Sequence, residues 1–285
     1  MRVAFLTSHC HASQFKPLRL AQVSIRWFPK HDRVLTRFRY LNVGDPYGVD
    51  WVPPECDVSI RPSWFWHASE SPKSVEELVS IYFKSVGRNC VLLLNVPPNA
   101  DGGIDRADME TLREFSNKLG DIFETNVAVE AKFVVASSTR GGHLSPFNPP
   151  QVLVPGIETF WAAENGANVS FIELQFENQI TFNVVQLQEP VSFGQRVSKY
   201  SIQAFVHGEW HVLKVGSTIG YKKLDFLGKT VASKVRLVIL NAKSFPLIAT
   251  FHLFFSGWLE SLDSFVPHGL HVSLLLPNPK EVLFI

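Results

Sequence analysis

The 285-residue chain is predicted to be α/β plus all-β, an α/β part followed by an antiparallel β-sandwich. Three observations predict this. Between Gly44 and about Asn126, helix, strand and helix signals alternate. The strand among them, Cys90-Val-Leu-Leu-Leu-Asn-Val96, is almost continuously apolar, the pattern of a strand covered on both faces in a parallel sheet. From Ala128 onward helix signals vanish and short strands punctuated by turn residues take over.

In chain order, Ser71-Pro72 offers an N-cap with proline at the first helical position, and Ser74-Val-Glu-Glu77 reads as a capping box. Apolar residues then recur at Val75, Leu78, Val79, Tyr82 and Val86, a helical spacing, and Gly87 is a plausible stop. After the Cys90–Val96 strand, Pro97-Pro98 ends the extended run. Asp105 caps a second helix to about Leu119, with Leu112, Phe115 and Leu119 on one side. Strands are expected at Lys132–Ser137, Ser170–Phe176, Thr181–Leu187, Val197–Val206, Glu209–Val215, Lys234–Leu240 and Leu247–Phe255. Val235, Leu237 and Ile239 alternate with Lys234, Arg236 and Val238, the two-residue period of a half-buried strand. Glu177-Asn178, Glu189-Pro190, His207-Gly208 and Gly216-Ser217 are the expected turns. No internal repeat or low-complexity tract is visible.

Composition excludes several classes. Hydrophobic residues make up 46% and charged residues 19%, too apolar for a disordered chain. Lys plus Arg number 27 against 26 for Asp plus Glu, a net charge of +1, so no nucleic-acid partner is expected. No apolar run approaches the roughly 20 residues of a membrane span; the richest, Leu247–Leu259, is broken by Thr250, His252, Ser256 and Gly257. Cys10, Cys56 and Cys90 cannot form a disulfide framework. No metal-ligand spacing or phosphate-binding glycine loop is present, so no cofactor and no metal are expected.

The opening segment is unusual. Met1 to His31 has no Asp or Glu, whereas Arg2, Lys16, Arg19, Arg26 and Lys30 are positive. It reads either as an organelle transit peptide or as a segment with no ordered role. A secretory signal fits poorly, because the longest early apolar run is Val3–Leu6.

Chemistry concentrates between Asp45 and His67. Glu55, Asp57, Arg61 and the aromatic trio Trp64, Phe65 and Trp66 lie close together and His67 follows. Carboxylates beside flat rings suit a carbohydrate, since acids handle hydroxyls or protons and rings cover apolar sugar faces. The alternative is structural: tryptophan in an α/β domain is often core, and Asp45-Pro46 and Asp50 read as turn residues.

The string Trp51-Val-Pro-Pro-Glu-Cys-Asp-Val-Ser-Ile-Arg-Pro-Ser-Trp-Phe-Trp-His67 resembles the plant α-L-fucosidases of glycoside hydrolase family 29. So does Tyr82-Phe-Lys-Ser-Val-Gly-Arg-Asn-Cys-Val-Leu-Leu-Leu-Asn-Val-Pro-Pro-Asn99. The block Val152–Trp161, then Gly194-Gln195-Arg196 and Thr218-Ile-Gly-Tyr-Lys222, looks like the C-terminal sandwich of that family. The resemblance runs from about Tyr40 to about Ile248. It implies a (β/α)8-like barrel followed by a galactose-binding-like β-sandwich, and retaining hydrolysis of terminal α-L-fucose through an Asp nucleophile and a separate acid/base carboxylate. It also implies fucosylated glycans or oligosaccharides as partners and an apoplastic or secretory location.

On this resemblance the chain divides into an atypical basic segment 1–39, a C-terminal part of a barrel 40–126 and a sandwich 127–285 with an atypical tail after about 248. About 126 residues precede the sandwich, whereas a (β/α)8 barrel takes about 250; the fold implied is therefore an incomplete barrel remnant plus sandwich. The nucleophile motif, Trp-aromatic-Asp-Gly, is not found in the sequence, and His9 and His11 do not sit in matching surroundings. Glu55 falls where some branches of the family place the acid/base glutamate. Its alternative role is a structural acid at a strand end, paired with Arg61 or capping a turn. Trp64, Trp66 and His67 are expected at the rim of the sugar pocket, with Asn95 and Asn99 as weaker candidates. Asn168-Val-Ser170 is a glycosylation sequon. The implied function is thus an α-L-fucosidase homologue, truncated and of weak or no activity. The competing readings are a carbohydrate-binding module using the sandwich, with Trp161, Trp210 and Tyr221 as contacts or core residues, and a truncated gene product without function. The sandwich alone is long enough for one core and is expected to fold by itself.

Overall fold

In a computed structural model of the protein, the residues described are 51, 53–167 and 169–262. The sequon residue Asn168 and the histidines His9 and His11 lie outside them. The fold is mostly β, with few helices.

The N-terminal part holds β1 (Glu55–Ser59), α1 (Val75–Lys84), β2 (Val91–Asn95) and α2 (Arg106–Phe123). β1 and β2 pair in parallel, from Glu55↔Val91 to Ser59↔Asn95. Ser74 caps α1: its hydroxyl accepts the Glu77 N–H at 3.2 Å while the Glu77 carboxylate accepts the Ser74 N–H at 3.3 Å. The cap falls at Ser74 rather than Ser71, because Lys73 still donates its N–H to Ile60 O at 2.7 Å and holds the approach to the helix outside it. Asp105 caps α2 by accepting the Ala107 N–H at 2.9 Å. α2 runs one turn past the predicted end and thereby carries Ile122 into a buried cluster.

β2 departs from expectation. Alternate strand residues face opposite sides, so Glu55, Asp57, Val91 and Leu93 share one face. Val91 and Leu93 are each 49% exposed, whereas cover on both faces was predicted. An apolar run reports which faces favour burial, and here one of them meets solvent.

The C-terminal part begins with a 3-10 turn, Val127–Glu130, and contains β3 (Phe133–Ala136), β4 (Trp161–Ala162), β5 (Ser170–Gln188), β6 (Val197–Val206), β7 (Glu209–Gly216), β8 (Lys223–Ala242), β9 (Leu247–Ile248) and β10 (Thr250–Phe254), then the short helix α3 (Gly257–Glu260). Six strands form one antiparallel sheet in the order β10-β5-β8-β6-β7, with β3 also paired to β5; β4 and β9 form a separate antiparallel pair. Ile172, Leu174, Ile202, Val235, Leu237 and Ile239 are fully buried on the inner face together with Trp161, as the alternation predicts.

Two strand predictions need correcting. Glu177-Asn178 is a bulge and not a turn: pairing of β5 with β8 passes from Gln175↔Lys234 to Ile180↔Ala232, and Glu177, Asn178 and Gln179 stay exposed while the strand continues. β8 starts at Lys223, well before the predicted Lys234, because the long β5 partner sustains pairing through a stretch that Gly228 and Lys229 make look turn-like. Beyond residue 248 the chain remains part of the fold. β10 pairs with β5, and the buried Asn183 amide donates to Ser256 O and Glu260 Oε1, both at 2.8 Å, fixing α3.

The two parts share a core. Val79, Phe83 and Ile122 from the helices cluster with Val184, Leu224, Phe254 and Leu259. Along the seam, Asn89 in the left-handed region (φ 72°) donates its N–H to Lys222 O at 3.1 Å and its amide Nδ2 to Ile219 O at 3.1 Å; its Oδ1 accepts the Lys222 N–H at 2.9 Å. Leu224 N–H donates to Gly87 O at 3.0 Å, and a Cβ on Gly87 would collide with Phe83 O and Leu224 Cβ.

Gly216 gives a further test of this packing. A Cβ there would enter the ring of Tyr200, which is fully buried and donates its hydroxyl to Asp225 Oδ2 at 2.5 Å. Gly216→Ala is therefore expected to cost about 1–3 kcal/mol, the usual cost of overpacking. Urea unfolding checks it; an unchanged midpoint would show that the ring gives way freely.

Candidate functional site

The aromatic loop predicted from sequence leaves the C-terminal end of β1. Residues 60–70 carry Trp64, Phe65, Trp66 and His67, and Trp64 and Phe65 are 45% and 78% exposed. Adjacent exposed rings give the loop an apolar surface. Their position is fixed from below.

Arg61 is the hub. Its side chain is 2% exposed, and Nε donates to both oxygens of the buried Asp108 carboxylate at 3.0 and 2.9 Å. Nη2 lies 3.5 Å from Asp105 Oδ2, and Nη1 donates to His67 O at 3.2 Å and to Glu70 O. One guanidinium thus ties the loop carbonyls to the start of α2. The Trp66 indole donates to Asp105 Oδ2 at 3.0 Å and lies beside the Arg61 guanidinium, 5.7 Å from ring centroid to Cζ. The Ala107 N–H, the Trp66 indole and Arg61 together hold the Asp105 carboxyl below its ordinary pKa.

The loop is closed a second time by Glu70, whose carboxylate accepts the Ser63 hydroxyl at 2.5 Å and the Ser63 N–H at 3.3 Å. The hydroxyl bond holds its pKa below the usual carboxylate range. A third tie comes from β2: Asn95 Nδ2 donates to Trp64 O and to Ser59 Oγ, each at 3.0 Å. Lys73 Nζ donates to Ser59 O and Arg61 O at 2.8 and 2.9 Å.

The structure thus brings Trp64, Trp66, His67 and Asn95 to one end of the parallel pair. Glu55 is not with them. It opens β1 at the opposite end, level with Val91, about 13 Å from Ser59 along the strand. Its expected alternative partner, Arg61, is engaged by Asp108 instead. Asp57 lies on the same strand face as Glu55, so these two carboxylates project side by side rather than across a gap. Asn99 serves its own turn, Oδ1 accepting the Asp101 and Gly103 N–H groups at 3.0 Å. Of the proposed sandwich contacts, Trp161 is core, its indole donating to Ser138 O at 3.0 Å. Tyr221 is exposed, its ring 5.8 Å from that of Trp51, and Trp210 lies on the outer sheet face. Cys56 and Cys90 are free, buried and hydrogen-bonded to each other, which lowers the Cys56 pKa and, with burial, raises that of Cys90.

Sequence reasoning missed the supports of this loop. Asp108 carries no local signature, because it is 47 residues from Arg61 and only the fold joins them; Glu70 closes the loop on Ser63 only seven residues away. A polar residue recurring among the apolar positions of α2 was the available hint. Among the described residues no group of three or more His, Cys, Asp or Glu side chains is placed to hold a metal ion, and no helix is long and apolar enough to cross a membrane.

Comparison with known proteins places both parts. Residues 14–121 match the family described as alpha-L-fucosidase, and residues 134–251 match the F5/8 type C domain. The first match begins upstream of Tyr40, where the sequence motifs begin the resemblance. Alpha-L-fucosidase 1 of Arabidopsis thaliana is 45% identical over 224 residues, 76% of this chain and 44% of the relative. Among solved structures, that of SpGH29 is 36% identical with a TM-score of 0.69, covering 76% of this chain and 47% of the other. A Ruminococcus gnavus GH29 fucosidase solved in complex with fucose is 34% identical with a TM-score of 0.68, covering 74% of this chain and 42% of the other. This chain spans a little under half the length of each of these relatives.

Proposed function

We propose, from the premise that residues 14–121 are an alpha-L-fucosidase family segment joined to an F5/8 type C domain at 134–251, that the protein recognises glycans ending in α-L-fucose. The observation that carries this reading is the Trp64–His67 loop, exposed at the C-terminal end of two parallel strands and braced by Arg61. In β/α barrels that end of the strands is where substrates sit, and the β1–α1–β2–α2 succession is read as the last units of such a barrel. The rings of Trp64 and Trp66 supply faces for the apolar side of the sugar, and His67 supplies a polar ring at the rim.

Hydrolysis with retention needs two carboxyl groups about 5–5.5 Å apart on opposite sides of the anomeric carbon. Among the described residues Asp108, Asp105 and Glu70 are committed to Arg61, Trp66 and Ser63, and Glu55 stands at the far end of β1. The reading is therefore a fucosidase homologue that binds its sugar and turns it over slowly or not at all. A secreted, apoplastic site of action goes with it. The second reading, glycan capture by the F5/8 type C domain, draws support from Tyr221, exposed beside Trp51.

The experiment is an aryl α-L-fucoside assay on the purified chain, run beside fluorescence titration with fucose. Turnover near background is expected, together with quenching that Trp64→Ala weakens. Rapid turnover abolished by Glu55→Gln would defeat the assignment of weak activity, and the absence of any fucose effect would defeat the recognition site.

A further inference from the structure

We propose that the outward face of the six-stranded sheet is a binding site for acidic glycans, with Lys234 and Arg236, held on the rings of Phe205 and Trp210, as the anion-binding groups and the exposed Phe133 and Val212 as its apolar margin. It is separate from the Trp64–His67 loop and does not rest on the fucosidase reading.

The pairing register builds the face. Phe133, Gln175, Lys234, Phe205 and Trp210 stand opposite one another on five consecutive strands, a row about 20 Å long at the usual strand spacing. Two residues along, Arg236 stands opposite Gln203, and Gln203 opposite Val212. The intervening residues of these strands, among them Leu174, Val235 and Ala204, are fully buried, so this row faces away from the core. It is apolar at its margins: Phe133 is 57% and Val212 58% exposed.

Both cations are seated on rings. The Lys234 ammonium lies 5.3 Å from the centroid of Phe205 and the Arg236 guanidinium 3.9 Å from that of Trp210. Arg236 Nε donates to Gln203 Oε1 at 2.8 Å, which holds the guanidinium over the indole. Phe205 and Trp210 themselves touch, with centroids 5.4 Å apart. Glu173, the cross-strand neighbour of Arg236, accepts a hydrogen bond from Gln175 Nε2 at 2.8 Å. Among the described residues neither Lys234 nor Arg236 forms a salt bridge.

Two like charges about 7 Å apart on one strand face, held against aromatic rings and, among the described residues, in no ion pair, with the neighbouring Glu173 carboxylate engaged by Gln175, complement a ligand that carries anions at intervals. Aromatic and valine surface around them complements the C–H faces of sugar rings, as in other carbohydrate sites. A uronic-acid polymer offers both, whereas nucleic acid calls for more cations than a chain with net charge +1 provides.

The test is affinity electrophoresis and calorimetry of the full chain with polygalacturonate, using fully methyl-esterified polymer and single-stranded DNA as comparators. Binding to polygalacturonate alone is expected. It should weaken at least tenfold in Lys234→Gln/Arg236→Gln and in Trp210→Ala, and fall with added salt. Val212→Glu, an exposed change that leaves the rings and cations in place, should weaken it by repulsion. Failure to bind polygalacturonate, equal binding to the esterified polymer or to DNA, or undiminished binding in Lys234→Gln/Arg236→Gln and Val212→Glu would overturn the proposal. So would a concentration-dependent dimer in sedimentation that these variants dissolve, which would assign the face to a second copy of the chain.

Discussion

Glu189→Ala is expected to lower stability by roughly 4 kcal/mol, a shift of about 10 °C in the unfolding midpoint for a chain of this size. Glu189 sits at the end of β5 with no exposed surface. Its Oε1 accepts the N–H groups of Arg196 at 2.7 Å and Val197 at 2.9 Å, and its Oε2 accepts that of Gly220 at 2.8 Å. Alanine would leave three buried backbone donors without acceptors, each costing about 1–3 kcal/mol. These donors start β6 and hold the loop that meets Asn89, so the loss spreads to the seam between the two parts. Burial pushes the Glu189 pKa from 4.5 up to about 7, against the opposing pull of the three N–H groups and Arg196. A folded-state pKa raised in this way means that the folded chain binds the proton more tightly than the unfolded one. Its stabilising contribution is complete below pH 4.5 and is lost as pH rises through about 7. Glu189→Gln, uncharged at every pH, should remove this slope while turning one amide N–H against Gly220. Thermal melts of the three proteins from pH 4 to 8 decide it; an Ala variant that melts like the parent would refute the acceptor role.

Arg61→Met should cost about 3–5 kcal/mol, the usual consequence of leaving one member of a buried ion pair behind. Asp108 is completely buried, and with Arg61 gone its carboxylate would face the start of α2 without a counterion. The double variant Arg61→Met/Asp108→Leu should recover most of the loss, because two apolar side chains need no partner. The loop should not recover with it: His67 O and Glu70 O lose their shared donor in both variants. Protease cleavage within residues 62–70, together with a change in Trp66 emission, is therefore expected in the single and the double variant alike. Equal melting of single variant and parent would remove Arg61 as the brace, as would a loop that resists cleavage in both.

What the sequence made legible was local. Ser74 and Glu77 form the capping box that their spacing announces, Asp105 caps its helix, and Val235, Leu237 and Ile239 face the core. His207 and Gly208 make the hairpin turn, both with positive φ. What the sequence obscured depended on partners distant along the chain. The Glu177–Gln179 bulge looks like a turn because its residues favour turns, and only the register with β8 keeps the strand going. Val91 and Leu93 look like core because apolarity does not reveal whether a neighbour is present. Within the candidate site, the exposed rings were identifiable from composition, but Arg61, expected as a partner for Glu55, proves to be their buried support. Glu55 was singled out by motif position; the strand register sets it apart from the loop.

The family boundary near residue 122–133 is not a physical boundary. Val79 and Phe83 interlock with Val184, Leu224 and Phe254, and Asn89 joins backbone to backbone across the same line. Two stretches that match different families share one buried cluster, so the family matches and the packing divide this molecule in different places. Swapping either stretch for a cousin's would have to bring its half of that interlock along.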